Sequence, residues 1–206
     1  MGEFASLLPY QVDGVAELVR RDALLLADDM GLGKTVQASV ALSILLRQGR
    51  LSSALVVVPA GLIRQWRVEL QRWAPELRVV PIGGRPADRS WQWRAPAEVY
   101  LVSYETLRSD FSQHPSSPTA RLWDVVILDE AQKIKNADTA ASWVCKQLRR
   151  SRQWALTGTP LENSAGDLES ILAFVHPPAH GARCAFAGPG QLKDELRQVQ
   201  LRRRKA

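Results

Sequence analysis

The most informative stretch of the sequence is DDMGLGKT at residues 28–35. It lies between a wholly apolar run at residues 23–27 and a helical pattern at residues 34–47. A glycine-rich turn between a buried strand and a helix is the setting that a phosphate-binding loop requires. Gly31 and Gly33 allow backbone conformations that a Cβ forbids, so that several N–H groups can point at one phosphate beside the positive end of the helix. We therefore predict a nucleotide-binding loop here.

Two side chains of this loop supply further chemistry. Lys34 provides a mobile cation for the β- and γ-phosphates, and the hydroxyl of Thr35 can ligate Mg²⁺. The strict pattern G-x-x-x-x-G-K-[ST] has glycine where this chain has Asp28, so the neighbouring strand and helix strengthen an imperfect match. The loop residues predicted to hold the nucleotide are Asp29, Met30, Gly31, Leu32, Gly33, Lys34 and Thr35.

A second apolar run, residues 125–128, ends in two carboxylates, Asp129 and Glu130. In this arrangement one carboxylate holds Mg²⁺ and the other polarises the attacking water. An acidic pair at a strand end is more often a helix cap than a catalytic pair, but its order and separation behind a phosphate loop favour catalysis. We predict that Lys34, Asp129 and Glu130 are catalytic and that Thr35 and Asp129 ligate the metal.

Beyond these two strands, short apolar runs continue to alternate with helical patterns. The further strands predicted are residues 54–58, 77–81 and 99–102, and the further helices are residues 9–21, 62–73 and 191–201. Strands that are apolar on both faces indicate a doubly wound, mainly parallel α/β sheet with helices on both faces, which binds ligands at the carboxyl ends of its strands. Residues 83–96 and 110–119 are rich in Pro, Gly, Ser and Arg and predict surface loops.

Composition is that of one soluble domain with a positive charge. The 206 residues carry 27 Lys and Arg against 21 Asp and Glu, a net charge of +6. This length suits a single α/β domain, and the charge favours a polyanionic partner. The basic runs at residues 149–152 and 201–205 are as consistent with a solvated face as with a binding patch.

Cysteine usage and hydropathy exclude other classes. Cys145 and Cys184 follow no metal-binding spacing, so we predict no disulfide partner and a reducing, intracellular compartment. No apolar run reaches the roughly 18 residues of a membrane span, and the N-terminus lacks the order of a signal peptide. We expect no membrane association.

The motifs together resemble those of the first lobe of SWI/SNF-type ATPases, a branch of the superfamily-two helicases that translocates on duplex DNA. The resemblance implies a RecA-like P-loop NTPase fold, one lobe spanning residues 1–206, ATP and Mg²⁺ as cofactors and double-stranded DNA as a partner. The family's phosphate loop also carries an acid at the position of Asp28. The matching stretches are LPYQ (8–11), the phosphate loop, VP (58–59), SYETL (103–107), DEAQ (129–132), LTGTPLEN (156–163) and LRRRK (201–205).

The resemblance also implies roles for residues outside the phosphate loop. Gln11 would recognise adenine, and Gln132, which replaces the family's more usual His, would couple ATP state to DNA contact and can hydrogen-bond across a lobe interface. Thr157 and Thr159 would share in that coupling. The candidate DNA contacts are Arg64, Trp66, Ser103 and Tyr104. No motif matches Trp91 or Trp93.

A second RecA-like lobe, which supplies an arginine finger in this family, has no counterpart after Asn163. We expect that lobe in cis in a parent protein, located in the cytoplasm or nucleoid of a prokaryote or in the nucleus of a eukaryote, and we expect little ATP hydrolysis by this lobe alone. Two alternatives remain open: a stand-alone regulatory module that binds nucleotide or DNA without turnover, and a DEAD-box-like RNA helicase lobe. Gln132 and residues 30–33 fit the DNA translocases better.

Overall fold

The computed structural model describes residues 6–111, 118, 120–158, 165–176 and 189–203. Within them the strands form one seven-stranded sheet in the order β3-β4-β2-β5-β6-β1-β7, and every pairing is parallel. The strands are β1 (Ala23–Leu26), β2 (Ala54–Val58), β3 (Val79–Ile82), β4 (Val99–Ser103), β5 (Trp123–Leu128), β6 (Arg150–Leu156) and β7 (Gln200–Leu201).

Helices connect the strands and begin at residues suited to that position. Pro9, whose fixed φ suits a first helical residue, starts the first helix, and Ser103 Oγ caps a later one by accepting a hydrogen bond from Thr106 N at 3.1 Å. The helices are α1 (Pro9–Arg20), α2 (Lys34–Arg47), α3 (Ile63–Trp73), α4 (Pro86–Gln92), α5 (Tyr104–Asp110), α6 (Ala140–Gln147), α7 (Ala165–Val175) and α8 (Pro189–Val199). Short 3-10 turns cover Ala60–Leu62 and Ala131–Ile134.

The sheet has a hydrophobic core on each face, because successive side chains of a strand point in opposite directions. In β1, Leu24 and Leu26 pack in the core that contains residues of α1, α2 and α3. Leu25 packs in the other core, which contains residues of α5, α6, α7 and α8. The predicted parallel sheet with helices on both faces is therefore confirmed.

Most predicted elements are present, with ends displaced by up to two residues, but one interpretation was wrong. Residues 83–96 contain helix α4 and the buried Trp93 and are not simply a surface loop. The basic run at residues 149–152 enters β6, where Arg150 stacks on the Phe174 ring at 4.1 Å and donates to the Leu148 carbonyl at 2.7 Å. Much of the predicted loop at residues 110–119 lies outside the described residues.

Two further expectations concern cysteines and membranes. Cys145 is buried in α6, and this burial raises the pKa of its thiol to about 12. Cys184 lies outside the described residues, so the absence of a disulfide stays a prediction. In the described part of the chain, no helix has both the length and the apolar character needed to cross a bilayer.

Candidate nucleotide-binding site

Four neighbouring strands end at the same edge of the sheet, and predicted site residues follow three of them. β5, β6, β1 and β7 are adjacent in that order and parallel. Asp129 follows β5, Thr157 follows β6, residues 28–35 follow β1 and Arg203 follows β7. The carboxyl edge of a parallel sheet is where α/β folds bind ligands.

The phosphate loop has the backbone that its glycines allow. Gly31 and Gly33 have φ values of 81° and 75°, in the left-handed region that residues with a side chain rarely adopt. A Cβ at Gly33 would lie 2.4 Å from Gln11 Nε2. The loop therefore passes closer to α1 than a residue with a side chain at position 33 would permit.

Lys34 reaches back across this loop. Its Nζ donates to the backbone oxygens of Asp28, at 2.6 Å, and Asp29, at 3.1 Å. Burial lowers the pKa of Lys34, and the negative charge of Glu130 opposes that shift. A partly desolvated ammonium above a left-handed glycine loop fits the phosphates of a nucleotide, which would replace these carbonyl oxygens as its partners.

Gln11 joins the start of α1 to the phosphate loop. Its Oε1 accepts from Leu8 N at 3.0 Å, and its Nε2 donates to the Leu32 carbonyl at 3.3 Å. The side chain thus caps its own helix and holds the loop at once. Its contact with adenine stays a prediction.

Asp129 is held by hydrogen bonds to both carboxylate oxygens. Oδ2 accepts from Trp66 Nε1 at 2.7 Å, Oδ1 accepts from Glu130 N at 2.9 Å, and the Tyr104 hydroxyl donates to the Asp129 carbonyl at 2.7 Å. Burial raises the pKa of Asp129, and the bond from Trp66 opposes that shift. A fixed, desolvated carboxylate fits a divalent cation, which would offset the cost of its burial.

These bonds correct two of the predicted DNA contacts. Trp66 is 0% exposed and Tyr104 is 3% exposed. Neither side chain offers a surface that DNA can touch, so the prediction was wrong for both, and their place is behind Asp129. Ser103 is also mostly buried and caps α5, whereas Arg64 is exposed on the first turn of α3.

Glu130 has an unusual backbone and connects two strand ends. Its φ of 48° is the single positive value among the described residues other than glycine, a conformation that costs energy and is common at functional sites. Its Oε2 accepts from Gln132 Nε2 at 2.5 Å, and Gln132 Oε1 accepts from Thr157 Oγ1 at 2.9 Å. The predicted coupling residues Gln132 and Thr157 therefore touch, while Thr159 lies outside the described residues.

The end of β6 also approaches the phosphate loop directly. A Cβ at Gly158 would lie 2.7 Å from Met30 Cγ and 3.2 Å from Lys34 Nζ. A side chain at position 158 would displace the Met30 side chain and crowd the Lys34 ammonium, so the glycine leaves space for both.

Sequence reasoning missed a polar cluster behind the loop. The fully buried Asp28 carboxylate accepts from Arg203 Nε at 2.9 Å and from Gln37 Nε2 at 3.3 Å. The departure from glycine at position 28 was the one signal of this cluster in the sequence. Arg203 carried no such signal, because it lies in a basic run 175 residues away.

Magnesium at this site stays a prediction, with Asp129 and Thr35 as its candidate ligands. Among the described residues, no group of three His, Cys, Asp or Glu side chains is placed to hold a metal ion. Mg²⁺ in nucleotide sites takes one or two protein ligands together with phosphate oxygens and water. Asp129 and Thr35 are consistent with that smaller set.

Comparison with known proteins shows similarity to SWI2/SNF2-type ATPases. A family model described as the SNF2-related domain matches residues 10–199. The mouse DNA excision repair protein ERCC-6-like is 34% identical over 183 residues, which cover 83% of this chain and 15% of that protein. An uncharacterized ATP-dependent helicase of Mycoplasma genitalium is 34% identical over 165 residues, 79% of this chain and 16% of that protein.

A solved structure is similar over nearly the whole chain. The Sulfolobus solfataricus SWI2/SNF2 ATPase core in complex with dsDNA has a TM-score of 0.85 and 32% identity, and the match covers 97% of this chain and 45% of that one. This likeness confirms the RecA-like fold. The chain spans less than half of the length of each of these relatives.

Proposed function

This chain belongs to the SNF2-related family, and from that membership we propose that it is the nucleotide-binding lobe of a DNA-dependent ATPase that translocates on double-stranded DNA. One observation carries the proposal. A left-handed glycine loop with its lysine, a buried aspartate and a strained glutamate all lie at the ends of neighbouring parallel strands. That combination suits phosphoryl transfer.

Each residue has a role in the proposed chemistry. The loop N–H groups and Lys34 bind the β- and γ-phosphates, and Gln11 contacts adenine. Thr35 and Asp129 hold Mg²⁺, which neutralises phosphate charge when bound. Glu130 orients the attacking water. Trp66 and Tyr104 act as positioning residues, because they fix the Asp129 carboxylate and its backbone.

The geometry also supports a route between nucleotide and DNA. Arg64 is exposed on α3, and two residues later in the same helix Trp66 donates to Asp129. A DNA phosphate bound by Arg64 would therefore contact the same helix that holds Asp129, the proposed metal ligand. Gln132 and Thr157 provide a second link, from Glu130 to the end of β6.

Turnover requires a second lobe in this proposal. An arginine finger is worth about 10³ to 10⁵ in rate for related NTPases, and it would come from the second RecA-like lobe in cis. Residues 1–206 alone are accordingly expected to bind Mg·ATP and to hydrolyse it poorly.

ATP turnover with and without duplex DNA tests this function. It would be measured for this chain alone, for the chain joined to the second lobe of a SWI2/SNF2 ATPase, and for the joined form with Glu130→Gln. We expect DNA-stimulated turnover only in the joined form with Glu130 intact. DNA-stimulated turnover by the chain alone would contradict the need for a second lobe, and stimulation by RNA in place of duplex DNA would favour an RNA helicase.

A further inference from the structure

The buried cluster at Asp28 links the phosphate loop to the last strand of the sheet. We propose that Arg203 is a positioning residue for the phosphate loop, acting through the Asp28 carboxylate, and that nucleotide binding and docking of residues 200–203 stabilise each other. This inference rests on the proposed nucleotide-binding function.

Arg203 supplies most of the donors around Asp28. Its backbone N and its Nε donate to Asp28 Oδ1 at 3.0 and 2.9 Å, and its Nη2 donates to Oδ2 at 2.5 Å. Gln37 Nε2 adds a longer bond of 3.3 Å. Without Arg203 the carboxylate would lose its cation while still buried, and a buried charge without its partner is costly. The loop would have to move to reach water.

Backbone pairing extends the connection into the loop itself. β7 pairs with β1, and beyond the end of β1 the Ala27 N–H donates to the Leu201 carbonyl at 2.8 Å. The Asp29 N–H then donates to the Arg203 carbonyl at 3.1 Å. Residues 200–203 therefore lie along the first residues of the phosphate loop and fix their path.

The guanidinium also contacts α1 and α2. It donates to the Tyr10 carbonyl, lies 5.4 Å from the centre of the Tyr10 ring and donates to Gln37 Oε1 at 2.7 Å. Gly14 of α1 makes room for it, since a Cβ there would be 2.7 Å from Arg203 Nη2 and 1.7 Å from Gln37 Oε1. One side chain thus joins both helices that flank the loop.

Arg203 and Lys34 hold the same two residues from different directions. Lys34 Nζ binds the carbonyl oxygens of Asp28 and Asp29, while Arg203 binds the Asp28 carboxylate and the Asp29 N–H. When a phosphate takes the ammonium of Lys34, Arg203 still holds the Asp28 carboxylate, together with the longer bond from Gln37. Because coupling between two sites is reciprocal, nucleotide must in turn stabilise the docked segment.

The test compares Arg203 with an arginine that has the same chemistry elsewhere. Arg89 makes a buried ion pair with Asp110 at 2.6 Å, between α4 and α5. The variants are Arg203→Met, Arg203→Lys and the matched control Arg89→Met. For each variant we would measure the affinity for a fluorescent ADP analogue in the presence of Mg²⁺, and separately the thermal midpoint of unfolding. Hydrogen exchange of residues 200–203 would be followed with and without that nucleotide.

We expect nucleotide affinity to fall about tenfold in Arg203→Met, with partial recovery in Arg203→Lys, and to be unchanged in Arg89→Met although its midpoint falls. Nucleotide should slow exchange of residues 200–203 in the unmodified chain and not in Arg203→Met. If Arg203→Met does not fold, Arg203→Lys and the exchange measurement on the unmodified chain decide.

Two results would overturn the inference alone: unchanged nucleotide affinity in the folded Arg203 variants, or no effect of nucleotide on the exchange of residues 200–203. Failure of the proposed function would be a different result. In that case the unmodified chain would not bind the nucleotide, or Lys34→Ala would bind it equally well.

Discussion

Two aspartates of this chain are fully buried and bound by arginine, but they lie toward opposite ends of the sheet. Asp28 is bound by Arg203, with Gln37 as a further donor. Asp110 accepts from Arg89 Nε at 2.9 Å and from Trp93 Nε1 at 2.8 Å. Local chemistry is nearly the same in the two clusters.

Their positions differ, and position decides what each can do. Arg89 and Asp110 are 21 residues apart and hold α4 against the end of α5, where Trp93 packs on Tyr100 and Trp123. Arg203 and Asp28 are 175 residues apart and lie at the start of the phosphate loop. The ion pair of Arg89 and Asp110 is therefore structural. In our proposal, the pair of Arg203 and Asp28 positions a ligand-binding loop.

The largest expected effect is on stability at the remote pair. Asp110→Asn leaves the Arg89 guanidinium, whose side chain is 8% exposed, without a counter-charge. Breaking such a pair from one side costs about 3 to 5 kcal/mol of unfolding free energy. Urea denaturation followed by tryptophan fluorescence would measure it, and nucleotide affinity of the folded protein should not change. A matching loss of affinity would erase the contrast between the two clusters.

Removing both partners at the remote pair should cost less than removing one. In Arg89→Met with Asp110→Leu, apolar side chains fill the site and no charge stays buried, so about 2 kcal/mol of the single-variant loss should return. A double-mutant cycle in urea gives this coupling. Additive losses would mean that the pair contributes through packing and not through charge.

A glycine in α1 sharpens the comparison at the other cluster. Alanine normally stabilises a helix by about 1 kcal/mol over glycine, but a Cβ at Gly14 would displace Gln37, which is fully buried and bonded to Asp28. We expect Gly14→Ala to lower the unfolding free energy by about 1 to 2 kcal/mol and to weaken nucleotide binding.

Gly166 of α7 is the matched control, since a Cβ there meets nothing within 4 Å. Gly166→Ala should be neutral or stabilising in the same thermal and urea measurements. Equal stabilisation by Gly14→Ala and Gly166→Ala would show that Gln37 and the buried cluster at Asp28 accommodate the added Cβ without loss of stability.

The smallest expected effect on stability is at the surface ion pair between Arg78 and Glu98. Hydrogen bonds from Arg78 lower the pKa of Glu98 from its ordinary value of 4.5, so the folded chain favours the ionised carboxylate. That stability is present above pH 4.5 and is lost as the pH falls through the lowered pKa. Glu98→Gln should reduce stability at pH 7 by less than any change at the buried pairs. If the unmodified chain and Glu98→Gln still differed in stability below the lowered pKa, the charge of Glu98 would not be the cause.

Local sequence patterns predicted most of the strands before Asp129 and the glycine loop, whereas features that depend on contacts between distant residues were missed. The β1 run, the glycine loop and the acidic pair at Asp129 each have a signature within ten residues, which is why the sheet and the proposed nucleotide site were predictable. Helix α4 was missed because the Pro, Gly, Ser and Arg content of residues 83–96 resembles a loop, and the local sequence does not show that Arg89 pairs with the distant Asp110.

Side-chain direction was the other limit. A motif places Trp66 and Tyr104 near the site, but only the fold reveals that both point inward to Asp129. Arg203 could not be distinguished from its basic neighbours, because its partner lies in the first strand-to-helix loop and the pairing depends on β7 joining β1.

Calorimetric titration of the chain with a nonhydrolysable ATP analogue, in Mg²⁺ and in EDTA, tests the central claim most directly. The account predicts one site whose affinity depends on Mg²⁺ and is lost in Lys34→Ala, with the thermal midpoint of that variant measured to confirm that it folds. No heat of binding in the unmodified chain, or equal binding by folded Lys34→Ala, would contradict a nucleotide site at these four strand ends.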